Sequence, residues 1–350
     1  MTVTLRSFAK INLGLCIGAT RPDGYHDLRT VYQTVALHDV MTVSVGRGTG
    51  IEIQCEDPRV PRDASNTCWK IVERAMSTLG ARGRVVIAID KRLPVQGGLG
   101  GASGNAVAAL IGLERALRKS LSGAERLRIA AEVGSDLPLF LIGGTVMGVG
   151  RGEDVYPVVD LPATPVVIVT PEIAVSTPKA FMDWDSLREP LGLKPDSVGN
   201  PNGTAEAVPL PKSGNKLTAS SPSDRMNEFG RVLASWLSGS QKVLSGVSGR
   251  KRGGRAETLL DLVRTGIEND FEKVVFPQYP ELCEVKRVLG QAGAFYASLS
   301  GSGSALYGLF RSRKQAERAA SRLRKSGIPA VATTTLTRPQ YWRRMRVSGF

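Results

Sequence analysis

The chain has 350 residues, enough for two domains at roughly 100–200 residues each. With 42% hydrophobic and 22% charged residues it has the balance of a globular protein, which excludes a wholly disordered or fibrous chain. The net charge of +14 is unevenly placed, because residues 311–350 hold eleven Lys/Arg against a single acid, Glu317. Such a tail suits either an anionic partner such as nucleic acid or a solvated, arginine-rich helix face. The mildly basic remainder suits a small polyanionic substrate. No apolar stretch approaches the roughly 20 residues that cross a bilayer, so no membrane partner is expected. The opening MTVTLRSFAKINL lacks the apolar core of a secretory leader. Cys16, Cys55, Cys68 and Cys283 show neither CxxC spacing nor a disulfide framework, which makes a reduced, cytoplasmic compartment the expectation.

Residues 3–18 read as a strand, and Arg21-Pro22-Asp23-Gly24 as a turn. Strands are expected at 29–37, 40–46 and 51–55. Asn66–Leu79 carries apolar residues at helical spacing, and Arg84–Ile89 is a short β-branched strand. A glycine-rich loop over 93–104 then leads into the helical pattern NAVAALIGLERALRK, with Ser103 as its expected N-cap. A second helix is expected near 123–133, broken by Ser135-Asp136-Leu137-Pro138, with strands at 139–149 and 165–170. The stretch 185–257 is rich in Pro, Ser, Gly and Asn and reads as a flexible insertion with one short helix at Met226–Leu237. Helices at 257–268 and 281–291, strands at 295–300 and 304–310 around Gly301-Ser302-Gly303, and a basic helix at 311–326 complete the chain. The mixture lacks strict βαβα alternation, which favours an α+β fold over a doubly wound sheet.

Gly97, Gly98, Gly100, Gly101 and Gly104 leave the backbone N–H groups of the loop free to surround an anion. The helix that follows adds its unpaired N–H groups and the positive end of its dipole. The alternative is a turn without a ligand. No GxxxxGK[ST] run exists, and Gly98-x-Gly100-x-x-Ser103 lacks the last glycine of a dinucleotide fingerprint. A P-loop triphosphatase and a dinucleotide oxidoreductase are therefore both disfavoured.

The segment Pro94-Val95-Gln96-Gly97-Gly98-Leu99-Gly100-Gly101-Ala102-Ser103-Gly104-Asn105-Ala106 resembles the phosphate loop of the GHMP kinase superfamily. Five further segments resemble motifs of one branch of that superfamily, in the same order. They are Ala9-Lys10-Ile11-Asn12-Leu13, Asp23-Gly24-Tyr25-His26, Ser135-Asp136-Leu137-Pro138, Asn269-Asp270-Phe271-Glu272 and Leu299-Ser300-Gly301-Ser302-Gly303-Ser304. The resemblance implies a two-domain α+β kinase, with domains at about 1–155 and 156–350 and the active site in the cleft between them. It implies transfer of a phosphoryl group from ATP, with Mg²⁺, to the 2-hydroxyl of the erythritol part of a cytidyl diphosphate sugar alcohol, within isoprenoid precursor synthesis. The loop departs from the superfamily at Gly104, where a second serine is usual.

By resemblance, Asp136 orients the acceptor hydroxyl and takes its proton, and Lys10 pairs with it. Read alone, Asp136 is a helix-end or turn aspartate, and Lys10 is equally a surface lysine on an edge strand. Residues Pro94 to Gly104, including Gln96, Ala102 and Ser103, would hold the phosphates of ATP, and Asn66 would contact its adenine or simply cap a helix. Asn12, Thr177, Tyr25, His26 and Phe181 would bind the substrate, with Tyr25 and Phe181 stacking on cytosine and His26 reading its edge. Alone, His26 reads as an exposed loop histidine and Phe181 as a core residue. No metal-ligand cluster is visible. Two competing functions stay open: another small-molecule kinase of the superfamily, of mevalonate or homoserine type, and a basic nucleic-acid-binding protein using residues 311–346.

Overall fold

A computed structural model describes residues 1–95, 97–188, 226 and 268–347. Gln96, the expected insertion beyond Arg188 apart from Met226, and the expected helix up to residue 267 lie outside these residues.

The chain opens with a long antiparallel hairpin, β1 (Thr2–Thr20) and β2 (His26–Gly46), closed by a turn in which Gly24 has φ +80°. The two strands expected at 29–37 and 40–46 are one strand. The register shifts between Phe8 and Ala9, opposite Val35–His38, and this irregularity interrupts the apolar alternation that sequence reasoning takes for a strand end. One edge of β2 carries β1. The other edge carries β4 (Arg84–Asp90) toward its C-terminal end and β5 (Thr145–Val149) toward its N-terminal end. The parallel β3 (Ile51–Cys55) and the edge strand β6 (Asp154–Pro157) complete a six-stranded sheet. Helices α1 (Thr67–Thr78), α2 (Gly101–Leu117), α3 (Gly123–Val133) and α4 (Leu137–Ile142) pack with it. The strand expected at 139–149 begins as α4: Pro138 sits in the first helical turn, where its missing N–H costs nothing, and Gly143 ends the helix at φ +72°.

A second, four-stranded antiparallel sheet has the order β10–β7–β9–β8, from β7 (Pro165–Val169), β8 (Tyr296–Leu299), β9 (Leu306–Leu309) and β10 (Ala330–Thr334). Its helices are α5 (Thr177–Arg188), α6 (Glu272–Gln278), α7 (Pro280–Gln291) and α8 (Arg313–Lys325). Strand β7 is buried on both faces and so reads as an unbroken apolar run. Val166 and Ile168 join the core between the sheets, whereas Val167 and Val169 join the core beneath the helices.

The last helix, α9 (Arg338–Met345), returns to the first sheet, where Tyr341 and Met345 enter its core and Tyr341 Oη donates to Phe140 O at 2.7 Å. Part of the basic tail is structural. Arg338 donates to the carbonyls of Thr145 and Val158, and Arg324 to that of Ala330. In α8 the alanines at 316, 319 and 320 are buried, leaving the arginines of that helix on its outer face.

Candidate active site

Strand alternation decides which side chains of β1 reach the site. Ala9, Ile11 and Leu13 fill the core between the sheets, so Lys10 and Asn12 point the opposite way. Both are almost fully buried, at 3% and 2% exposure. Lys10 Nζ donates to Asn12 Oδ1 at 2.7 Å and forms an ion pair with Asp136 Oδ2 at 3.4 Å. Asn12 Nδ2 donates to Thr30 Oγ1 at 2.8 Å. Asp136 stands at the N-terminus of α4, yet its carboxylate makes no capping bond to its own helix. It is turned instead toward Lys10 and toward Tyr32, whose hydroxyl donates to Asp136 Oδ1 at 3.0 Å. Burial, reinforced by the neighbouring Asp136 charge, pushes the Tyr32 hydroxyl well above the ordinary phenol range, so it remains a donor. The expected Lys10–Asp136 pair is thus present, and the surface-lysine alternative is excluded. Tyr32, which pairs with Asn12 across the hairpin, carried no signal of its own in the sequence.

The glycine loop is held from three sides. Lys10 N donates to Leu99 O at 2.9 Å, Ala305 N to Gly97 O at 3.1 Å, and Ser300 Oγ to Gly98 O at 3.1 Å. Gly98 has φ +80°, and a Cβ there would lie 2.3 Å from Ser300 O. Only glycine allows this approach. The Gly301-Ser302-Gly303 turn is therefore both a tight connection between β8 and β9 and a wall of the site. A Cβ on Gly301 would come within 3.4 Å of both Lys10 Nζ and Asn12 Oδ1. Asn269 and Glu272 hold this wall: Asn269 Nδ2 donates to the carbonyls of Leu299 and Gly301, and Glu272 Oε1 accepts from Leu299 N.

Beyond the loop lies a cavity of about 370 Å³. Pro94, Val95, Gly97 to Ser103 and Asn66 line it. The helix starts earlier than its pattern suggests. The N-cap of α2 is Gly100 rather than Ser103, so Ser103 lies in the first turn and faces the cavity. Asn66 is the N-cap of α1, accepting from Cys68 N at 2.8 Å, and it also lines the cavity. Gly104 does not line it. A Cβ there would sit 2.8 Å from Phe8 O and 2.9 Å from Ser7 Oγ, so β1 excludes the side chain usual in the superfamily.

The cavity adds residues that sequence reasoning missed. Lys91 and Asn105 line it. Lys91 Nζ pairs with the buried Asp39 at 2.6 Å, and Asp39 also accepts from the backbone of Arg92 and Leu93 at 2.7 Å. This anchors the start of the loop and leaves an ammonium beside the first turn of α2. A lysine immediately before a glycine loop was the available signal. Asn105 is 3% exposed, and its Oδ1 has no hydrogen-bond partner among the described residues.

Of the substrate-binding candidates, Tyr25 and His26 stand at the hairpin tip and Phe181 packs against His26. Tyr25 is 55% exposed, with the Arg151 guanidinium 5.0 Å from its ring centre. The side chain of His26 is 6% exposed, not the loop histidine that its turn suggested. Its ring stacks on Phe181 with centroids 4.9 Å apart at 14°, and Phe181 meets Phe271 edge-on. Thr177, at the start of α5, shares a 2.6 Å hydroxyl contact with Ser302.

A buried lysine paired with a partly exposed aspartate, beside a glycine loop that opens a helix, suits a small-molecule kinase. The family descriptions "GHMP kinases N terminal domain" and "GHMP kinases C terminal" match residues 66–144 and 250–329. A 4-diphosphocytidyl-2-C-methyl-D-erythritol kinase of Solibacter usitatus is 33% identical over 97% of this chain and 92% of its own length. The crystal structure of a 4-(cytidine 5'-diphospho)-2C-methyl-D-erythritol kinase is 26% identical, with a TM-score of 0.66 over 95% of this chain and 98% of that one. A homoserine kinase of Cytophaga hutchinsonii, 19% identical over 96% of this chain and 95% of its own with a TM-score of 0.63, shares the fold. The chain belongs to the GHMP kinases and, within them, to the 4-diphosphocytidyl-2-C-methyl-D-erythritol kinase family. It is an ATP-dependent kinase with the α+β, two-domain fold of that superfamily. No helix among the described residues is long and apolar enough to cross a membrane.

Proposed function

We propose that this kinase phosphorylates the 2-hydroxyl of 4-diphosphocytidyl-2-C-methyl-D-erythritol, in the cytoplasm and within the non-mevalonate route to isoprenoid precursors. One observation carries the choice of substrate: a single hairpin carries Lys10 and Tyr32, which hold Asp136, along its length and Tyr25 and His26 at its tip, where His26 stacks on Phe181 of α5. Six residues of β2 separate Tyr32 from His26, about 20 Å at the rise of a strand. That is the scale of an extended nucleoside diphosphate bearing a short polyol. Mevalonate and homoserine are much smaller and carry no base to stack. The division at about 155/156 belongs to this reading; it falls within the short edge strand β6, just before the chain passes to β7, and α9 returns to the first half.

Phosphoryl transfer of this kind depends on positioning and charge neutralisation more than on covalent help from the protein. The glycine loop and the first turn of α2 line the cavity, and their amides would hold the polyphosphate, with Asn66 toward the adenine. Lys91 adds a fixed cation. Asp136 orients the acceptor hydroxyl and takes its proton late, once that oxygen has become acidic by bonding to phosphorus. Lys10 and Tyr32 hold the carboxylate for that task. Asn12 and Thr177 face the middle of the substrate. No three His, Cys, Asp or Glu side chains gather to hold a metal among the described residues. Mg²⁺ would be carried in on the phosphates, where the Ser103 hydroxyl could hold it. When bound, the ion neutralises phosphate charge.

The reading is tested by a panel of alcohols assayed for ADP release with ATP and Mg²⁺. The cytidyl diphosphate substrate turns over, and the free erythritol phosphate, mevalonate and homoserine do not at the same concentration. Comparable turnover of mevalonate or homoserine would refute it.

A further inference from the structure

The imidazole of His26 is fixed from outside the hairpin. Asp185 Oδ1, on α5, lies 2.7 Å from His26 Nε2, and Thr20 Oγ1 lies 3.3 Å from the same nitrogen. The opposite ring nitrogen, Nδ1, has no hydrogen-bond partner among the described residues. The Asp185 side chain is 47% exposed, so the contact adds little to stability. What the contact decides is the state of the ring. A carboxylate accepts and cannot donate, so Nε2 carries the proton and Nδ1 of the neutral imidazole is left as an acceptor.

An acceptor lone pair on Nδ1 lies in the plane of the ring. A base hydrogen-bonded there is coplanar with the imidazole, and that plane is within 14° of Phe181. The stacking of His26 on Phe181 therefore extends a platform for the base and does not block it. We infer that Asp185 is a specificity-determining positioning residue: by holding the Nε2–H tautomer of His26, it makes the slot select a nucleobase edge that donates, the 4-amino group of cytosine, and reject one that accepts, the 4-oxo group of uracil. This rests on reading the slot as a pyrimidine site. With a uridine substrate, two acceptors face one another, and one well-formed hydrogen bond lost to mismatch costs about ten- to a hundredfold in discrimination.

Two measurements test it. The chain has only two histidines, so long-range ¹H–¹⁵N correlation on the free, intact protein identifies both rings directly. His26 is expected as the Nε2–H tautomer, with a mixture of tautomers in Asp185→Ala. A protonated Nδ1 in the neutral wild-type ring would overturn the assignment, whatever the substrate. Kinetically, the kcat/KM ratio for the cytidyl over the uridyl diphosphate substrate falls about tenfold in Asp185→Ala, through the KM of the cytidyl substrate rather than through kcat. Asp185→Asn keeps an acceptor oxygen and restores the ratio. A merely structural role would lower both substrates together; an unchanged ratio in Asp185→Ala therefore refutes the inference. Failure of the wild type to use the cytidyl substrate at all would instead refute the broader reading, while the tautomer still judges the role of Asp185.

Discussion

Replacing Gly98 with alanine separates the two constraints on the phosphate loop. The residue sits at φ +80°, where an L side chain costs about 1–2 kcal/mol. The added Cβ would also stand 2.3 Å from Ser300 O. That partner is backbone, so no rotamer relieves the contact, and the loop must move by about 1 Å to reach an ordinary van der Waals separation. Overpacking of this kind adds about 1–3 kcal/mol, for a total loss near 2–5 kcal/mol. Gly327 supplies the matched control: its φ is +77°, and nothing lies within 4 Å of its Cβ position. Gly327→Ala should lose only the conformational part. Urea unfolding measures both losses. The displaced loop in Gly98→Ala should also lower kcat about a hundredfold, because phosphates misplaced by about 1 Å leave the acceptor out of line. If Gly98→Ala proved as stable as Gly327→Ala and kept full activity, the close approach between loop and turn would not constrain the site.

Asp136→Asn should lower kcat by roughly 10²–10⁴ if the carboxylate accepts the acceptor's proton, with little change in ATP affinity; a rate near wild type would refute that role. Tyr32→Phe removes one hydrogen bond to the same carboxylate and should lower kcat about tenfold, seen in steady-state ADP release. Burial pushes the Cys68 thiol up to about 12, from an ordinary value near 9. Its thiol should resist alkylation in the native protein while the exposed Cys283 reacts, as mass spectrometry of the labelled chain would show. Because the folded pKa is raised, the neutral thiol contributes its full stability below about pH 9 and loses it as pH rises toward about 12. Cys68→Ser should flatten that part of the stability profile.

The chemistry-bearing residues were legible because they sit in compact, ordered motifs. Lys10 pairs with Asp136, residues 94, 95 and 97–103 line one cavity, and alternation along β1 was enough to put Lys10 and Asn12 on one face. Tyr32 and Asp39 were not legible as site residues, since each acts through a partner distant in sequence, and Lys91 had only its place before the glycine loop as a signal. Tyr32 reads as a core tyrosine until the hairpin register sets it opposite Asn12 and beside Asp136. Two element assignments failed for local reasons. A bulge disguised β2 as two strands, and a proline at a helix start made α4 read as the beginning of a strand. The cap of α2 was misplaced because Gly100, in the left-handed region, starts the helix without a side-chain bond. The reason for glycine at 104 exists only in three dimensions, where Ser7 and Phe8 fill the space.

The account depends on the glycine loop and Asp136 facing one reaction from opposite sides. A crystal structure with a non-hydrolysable ATP analogue, Mg²⁺ and the cytidyl diphosphate substrate tests this most directly. It should show the terminal phosphate against the amides of residues 97–103 and the acceptor hydroxyl within hydrogen-bond reach of Asp136. Phosphates bound elsewhere, or an acceptor hydroxyl remote from Asp136, would contradict it.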